Sequence, residues 1–72
     1  MLYRLMTEGT GKYKSQAEEL TAREFSGFTS YEATGHWNGL KEQALVIEII
    51  DENDIWNQFK NLAKAIRIMN EQ

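Results

Sequence analysis

No cysteine occurs in the 72-residue chain, so disulfides and thiolate metal sites are excluded, and the single histidine, His36, cannot build a histidine-rich zinc site. A domain of this size buries only about 60% of the surface its unfolded chain exposes. With disulfides and metal set aside, the remaining staple is association with a further chain, and a homo-oligomer is the expectation. Positive charge is also scarce. Eight Lys and Arg against eleven Asp and Glu give a net charge of −3. The basic residues run from Arg4 to Arg67 without a cluster, which argues against a DNA or RNA partner. No apolar run approaches the ~20 residues of a membrane span, so no membrane partner is expected. The opening MLYRLMTEG is too short and too polar for a secretory signal, and a cytoplasmic protein follows as the default. What the chain does have is 42% hydrophobic residues with strong local periodicity, which fits one ordered domain over 1–72.

The chain is organised around FTSYEATGHWNGLKEQALVIEII, Phe28 to Ile50, which reads as two strands joined at Asn38-Gly39. Asn-Gly is a strong short hairpin signal because both residues tolerate positive φ. A strict two-residue turn there sets Ser30 and Glu32 beside Ile47 and Leu45. A three-residue loop, Asn38 to Leu40, instead brings Tyr31 and Ala33 opposite Ile47 and Leu45, with Glu32 meeting Val46. Because a one-residue slip inverts every side chain, the odd-length loop or an equivalent bulge is expected. Leu45, Ile47 and Ile49 then line the covered face, and Ala44, Val46 and Glu48 the other.

Ahead of the hairpin, Leu2 to Thr7 alternates loosely and reads as a first strand ended by Gly9. GTGKYK reads as a loop. Ser15 to Glu18 has the spacing of a capping box and predicts a helix from Ser15 to about Phe25, with a weak stripe of Ala17, Leu20 and either Ala22 or Glu24 with Phe25, and a stop at Ser26-Gly27. Behind the hairpin, Asp51, Glu52 and Asp54 suit a helix N-terminus, where backbone amides favour negative charge. Ile55, Phe59, Leu62, Ile66 and Met69 recur at four-three-four-three spacing, with Trp56 and Ala63 widening the stripe and no helix-breaker between them.

The order is β-α-β-β-α. It implies an α+β fold, a ferredoxin-like unit lacking its last strand, with an antiparallel sheet and two helices on one face. Strand one would then be an unprotected edge. Either the chain is truncated after Gln72, or a second chain supplies the pairing or covers the open sheet face.

Few residues suggest chemistry. Gly9-Thr10-Gly11-Lys12 departs from a phosphate loop, because the spacing fails and Tyr13 stands where a metal-binding hydroxyl is needed. A weaker anion site from backbone amides with Lys12 and Lys14 survives. His36 lacks an evident nucleophile or orienting partner, with Glu42 the one carboxylate expected near it across the hairpin. Glu32 and Glu48 read as solvating groups or partners for Arg4 rather than an acid–base pair. No catalytic residue, metal or cofactor is therefore expected. Trp37, close to a turn tip, is hard to bury within so small a chain, and such rings are enriched at interfaces and in ligand pockets. The resulting expectation is a non-enzymatic binding protein. Arg4, Lys12, Tyr31, His36 and Trp37 are the candidate contact residues. The alternative is a protein–protein interaction module using the open face or edge strand.

YEATGHWNGLKEQALVIEII followed by an amphipathic helix resembles small proteins encoded by phages and prophages, in which a strand ending near a Trp leads through a polar turn to a Val/Ile strand and a helix. The resemblance covers Phe28 to Met69 and rests on Gly35, Trp37 and the Leu45 to Ile50 run. It implies a viral setting within a host cytoplasm, and either sequestration of a small anionic nucleotide immune signal or inhibition of a host protein. The relatives continue into a final strand, where this sequence stops at Gln72.

Overall fold

The computed structural model describes residues 1–70. The elements are β1 (Leu2–Glu8), α1 (Gly11–Glu24), β2 (Thr29–Trp37), β3 (Leu40–Ile50) and α2 (Trp56–Asn70). The three strands form an antiparallel sheet in the order β1-β3-β2. This is an open α+β arrangement, consistent with a ferredoxin-like unit lacking one strand. β3, the most apolar strand, is central, as a strand flanked on both sides must be. β1 and β2 are both edges.

The β2–β3 register corrects the expected three-residue loop. Trp37 pairs with Leu40, Tyr31 with Val46 and Ala33 with Ala44. The turn is the two-residue form, with φ of 48° at Asn38 and 79° at Gly39. Positive φ at both positions is the primed geometry whose twist matches the flanking strands. Tyr31 and Ala33 therefore turn away from the helices. Their absence from the core is tolerated because β2 is an edge strand lying under the polar flank of α1. There Ser30 Oγ donates to Glu18 Oε2 at 2.6 Å, and Lys14 Nζ pairs with Glu32 Oε1 at 3.2 Å.

Alternation along the strands leaves one apolar row toward the helices. Leu45 and Ile47 have no exposed surface, and Ile49 almost none. Tyr3 and Leu5 of β1 lie opposite Ile49 and Ile47. The Tyr3 ring packs on Phe59 with centroids 5.3 Å apart, and its hydroxyl accepts the Ile55 N–H at 3.2 Å. A core tyrosine thus satisfies a buried backbone donor at the entry to α2.

α2 follows the expected stripe: Ile55, Phe59, Leu62 and Ile66 are buried and Met69 packs against them. Trp56 does not widen it. It sits one residue, roughly 100° of helical turn, from Ile55 and is 55% exposed. The acidic cluster forms the turn before the helix rather than its first turn. Asp51 Oδ1 accepts the Asn53 N–H and Asp54 Oδ1 the Trp56 N–H, at 2.8 and 3.0 Å.

α1 departs further from expectation. It begins at Gly11, so Gly11 to Lys14 are helical rather than loop. Thr10 takes the N-cap position with extended backbone, and its hydroxyl turns back to Glu8 Oε1. The Ser15–Glu18 capping box does not form, because Ser15 lies inside the helix and Glu18 is engaged by Ser30. Ala17 and Thr21 are the fully buried positions, while Ala22 is exposed. Thr21 carries its hydroxyl into the core by donating it to the Ala17 carbonyl at 2.8 Å.

Candidate interaction face

The register decides what stands on the side of the sheet away from the helices. In antiparallel pairs, directly opposed residues share a face. Leu2 and Ile50 form one row, Arg4, Glu48 and Thr29 the next, and then Met6, Val46 and Tyr31. Beyond these come Glu8, Ala44 and Ala33, then Glu42 and Gly35, then Leu40 and Trp37. Nothing in the described chain covers this surface. Among the described residues, six of the nine exposed large apolar side chains stand on it: Leu2, Met6, Tyr31, Trp37, Leu40 and Ile50. Scattered exposed apolar residues are ordinary; here six of them fall on one face of a small domain, in three rows separated by rows of polar or small residues.

The hairpin tip sharpens the asymmetry. β1 stops opposite Ala44, and β2 and β3 run on without a third strand to Trp37 and Leu40. On the helix side of this overhang lie Thr34, His36, Lys41 and Gln43, all polar and exposed. On the other side lie Trp37, 69% exposed, and Leu40, 65% exposed. The tip has no core on either side, yet its apolar pair continues the open face.

At the other end a polar cluster spans all three strands. Glu48 Oε2 accepts from Arg4 Nε at 2.6 Å and from the Tyr31 hydroxyl at 2.9 Å. The Arg4 guanidinium first, and the Tyr31 hydroxyl second, hold the Glu48 carboxyl below its ordinary 4.5, against a partial desolvation that pushes it up. The bond to Glu48 and then burial raise the Tyr31 phenol above 10.0, and the same carboxylate raises Arg4. A depressed carboxyl pKa contributes stability that is present above its unfolded value and is lost as pH falls through the folded one. A raised phenol pKa contributes below 10.0 and is lost as pH rises through the folded value. The urea midpoint is therefore expected to fall on acidification below 4.5 and on alkalinisation above 10.0. Glu48→Gln should flatten the acid limb. An acid limb identical in that variant would show that other carboxylates carry it.

The five expected ligand residues do not converge. Arg4, Tyr31 and Trp37 share the open face, with Trp37 three rows from Tyr31. His36 pairs with Lys41 on the opposite side of the hairpin. Lys12 lies in the first turn of α1, its Nζ 5.6 Å from the centre of the Tyr13 ring. Two adjoining grooves between α1 and α2 share Leu20, Arg23 and Ala65, and none of the five lines either. Sequence reasoning overlooked Met6, Leu40, Ile50 and Leu2. The available signal for Leu40 and Ile50 was the Asn-Gly turn, since its two-residue form puts the even positions of β3 and the odd positions of β2 on one face.

No group of three or more His, Asp or Glu side chains is placed to hold a metal among the described residues. No described helix is long and apolar enough to cross a membrane. No family model, curated protein or solved structure matches the chain.

Proposed function

We propose that this chain is a non-enzymatic protein-binding module whose working surface is the open sheet face. The observation that carries this reading is the gathering of Trp37, Leu40, Ile50, Leu2, Met6 and Tyr31 on one uncovered side of the sheet. Large aromatic and aliphatic side chains around a neutralised polar cluster are the composition of an interface centre, where apolar burial supplies affinity and paired polar groups set register. The nucleotide-holding alternative has Arg4, Tyr31 and Trp37 on this face in its favour. Against it, Arg4 is already engaged by Glu48, and Lys12 stands on the other side of the sheet. A phosphate ligand would have to compete with a carboxylate for Arg4, the one cation that the described residues place on the face.

The test compares the native chain, immobilised as bait, with Trp37→Ser/Leu40→Ser/Ile50→Ser. All three positions are exposed, so the folded monomer should tolerate the change. The expected result is a protein, of whatever identity, held in stoichiometric amount by the native bait and lost from the variant. Equal retention by both baits would defeat the open-face reading. Calorimetric titration with cyclic nucleotides examines the alternative, for which saturable heat lost on Arg4→Ala is the required outcome.

A further inference from the structure

We infer that the outer edge of β1 takes up an extended acidic segment of a partner protein as a further antiparallel strand, seated beside α2. This surface is separate from the open sheet face. The ladder to β3 shows which backbone groups of β1 are free. Met1 and Asp51 exchange both hydrogen bonds, and the Gly9 N–H donates to the Gln43 carbonyl, so the odd positions of β1 are the ones bonded to β3. Leu2, Arg4, Met6 and Glu8 therefore turn their N–H and C=O groups outward, and no described strand pairs with them. Such a row is a template for an arriving strand.

Between this edge and α2 lies a groove of about 370 Å³, lined by Leu5, Thr7, Ala63, Ile66, Arg67 and Asn70 among others. The Asn70 amide donates to Thr7 Oγ1, while its side-chain oxygen is buried and accepts from no described group. A buried acceptor without a partner, next to open backbone groups, is a place where an arriving donor is favourable. The opposite edge of the sheet differs. There Ser30 and Glu32 of β2 are already tied to Glu18 and Lys14 of α1.

Charge selects the occupant. Lys60, Lys64 and Arg67 recur at spacings of four and three, so they share one side of α2, around Ala63. All three are exposed, and none makes an ion pair among the described residues. At about 1.5 Å of rise per residue the row is about 10 Å long. Three same-side residues of a strand span about 13 Å. The fitting segment therefore places an apolar side chain against Leu5 and Ile66, with acidic side chains two positions before and after it to meet the cations. A second copy fits worse. Its β1 carries Arg4 and Glu8 and so brings no excess of negative charge, and a two-fold at this edge turns its cationic row toward this one.

The experiment follows the fluorescence anisotropy of a fluorescein-labelled peptide, Thr-Glu-Thr-Val-Thr-Glu-Thr, titrated with the native chain at low salt. Saturable binding is expected. Lys60→Gln/Lys64→Gln/Arg67→Gln, which keeps good helix formers on an exposed side, should weaken it by about tenfold or more. N-methylation of the inner threonines of the peptide, whose N–H groups would face β1, should abolish binding. Met6→Pro should abolish it as well and Met6→Ala should not, because proline removes an outward N–H at an edge position where the fold tolerates its loss. Circular dichroism checks that each variant is folded, and the methylated peptide tests strand addition without altering the chain. Absence of saturable binding by the native chain would overturn the proposal. Unchanged affinity in the Gln variant would overturn the acidic occupant, and binding of the methylated peptide would overturn strand addition. A mass of twice 8.4 kDa in sedimentation equilibrium, returned to 8.4 kDa by Met6→Pro, would make the occupant a second copy and overturn the partner segment. Trp37→Ser/Leu40→Ser/Ile50→Ser should bind the peptide as the native chain does, so failure here and failure of the open-face reading are distinguishable.

Discussion

Replacing Gly9 with alanine is expected to destabilise the chain by about 1–3 kcal/mol, read as a lowered urea midpoint at fixed dilute concentration. The reason is space rather than backbone conformation. A Cβ at Gly9 would lie 2.5 Å from the Ala44 carbonyl carbon and 2.8 Å from both the Ala44 oxygen and the Leu45 nitrogen. All three are main-chain atoms of the central strand, so no flexible side chain can swing aside. Relief requires β3 to shift, with Leu45 already sealed in the core, or the end of β1 to peel away with its Gly9 N–H to Gln43 carbonyl bond. Either movement disturbs the point where β1 hands the chain to α1. Gly27→Ala is the matched control, since nothing lies within 4 Å of its Cβ position. A wild-type midpoint for Gly9→Ala would mean that the close approach of β1 to Ala44 is absent in solution.

Ile47→Ala should cost more, about 2–5 kcal/mol. Ile47 is fully buried at the centre of the middle strand, between Leu5 on β1 and Ser30 on β2. Truncation removes apolar contact and leaves a void that a sheet interior fixed by ladders on both sides cannot close. At about 0.05–0.15 kcal/mol per residue, a domain of this length has on the order of 4–11 kcal/mol in total. The substitution therefore removes a large share of it, and a measurable unfolded fraction in dilute buffer is expected by circular dichroism. Ile68→Ala, on the exposed side of α2, should stay within about 0.5 kcal/mol of the native chain. Similar losses at both positions would contradict the assignment of Ile47 to the core.

These outcomes bear on how the fold was written in the sequence. The covered row of β3 and α2 were legible because each rests on a long period: alternation through Leu45, Ile47 and Ile49, and four-three recurrence from Ile55 to Met69. The β2 register was misjudged for a physical reason. Tyr31 and Ala33 looked like core residues, but β2 is an edge strand. Its inner row is closed by Ser30 and Glu32 bonding to Glu18 and Lys14 of α1, which leaves its apolar row for the outside. The local signal of Asn38-Gly39 was sound, and a preference for apolar residues in the core overrode it. The start of α1 was missed because the Ser15–Glu18 spacing imitates a capping box, while Thr10 holds the cap position without a side-chain bond to announce it. Thr21 escaped notice because its burial depends on an internal bond to Ala17 that the sequence does not display. An open face with Ala44, Val46 and Glu48 was expected, but its members from β1 and β2 became visible only through the register.

The position of β1 has a consequence for the order of assembly. Its partner is the far strand of the hairpin, Leu2 lying against Ile50, and the Met1 ammonium donates to the Asp51 carbonyl at 2.6 Å across 50 positions of chain. The β2–β3 hairpin closes through a two-residue loop and can form within microseconds, whereas β1 must wait for a long loop to close. On a ribosome, the first strand made is the last to be seated. Until Ile50 emerges, Tyr3 has no Ile49 beside it, and until α2 follows it has neither Phe59 to pack on nor an Ile55 amide to accept. Until α2 is made, the hairpin lacks Phe59, Leu62 and Ile66, which join Leu45, Ile47 and Ile49 in the core of the folded chain.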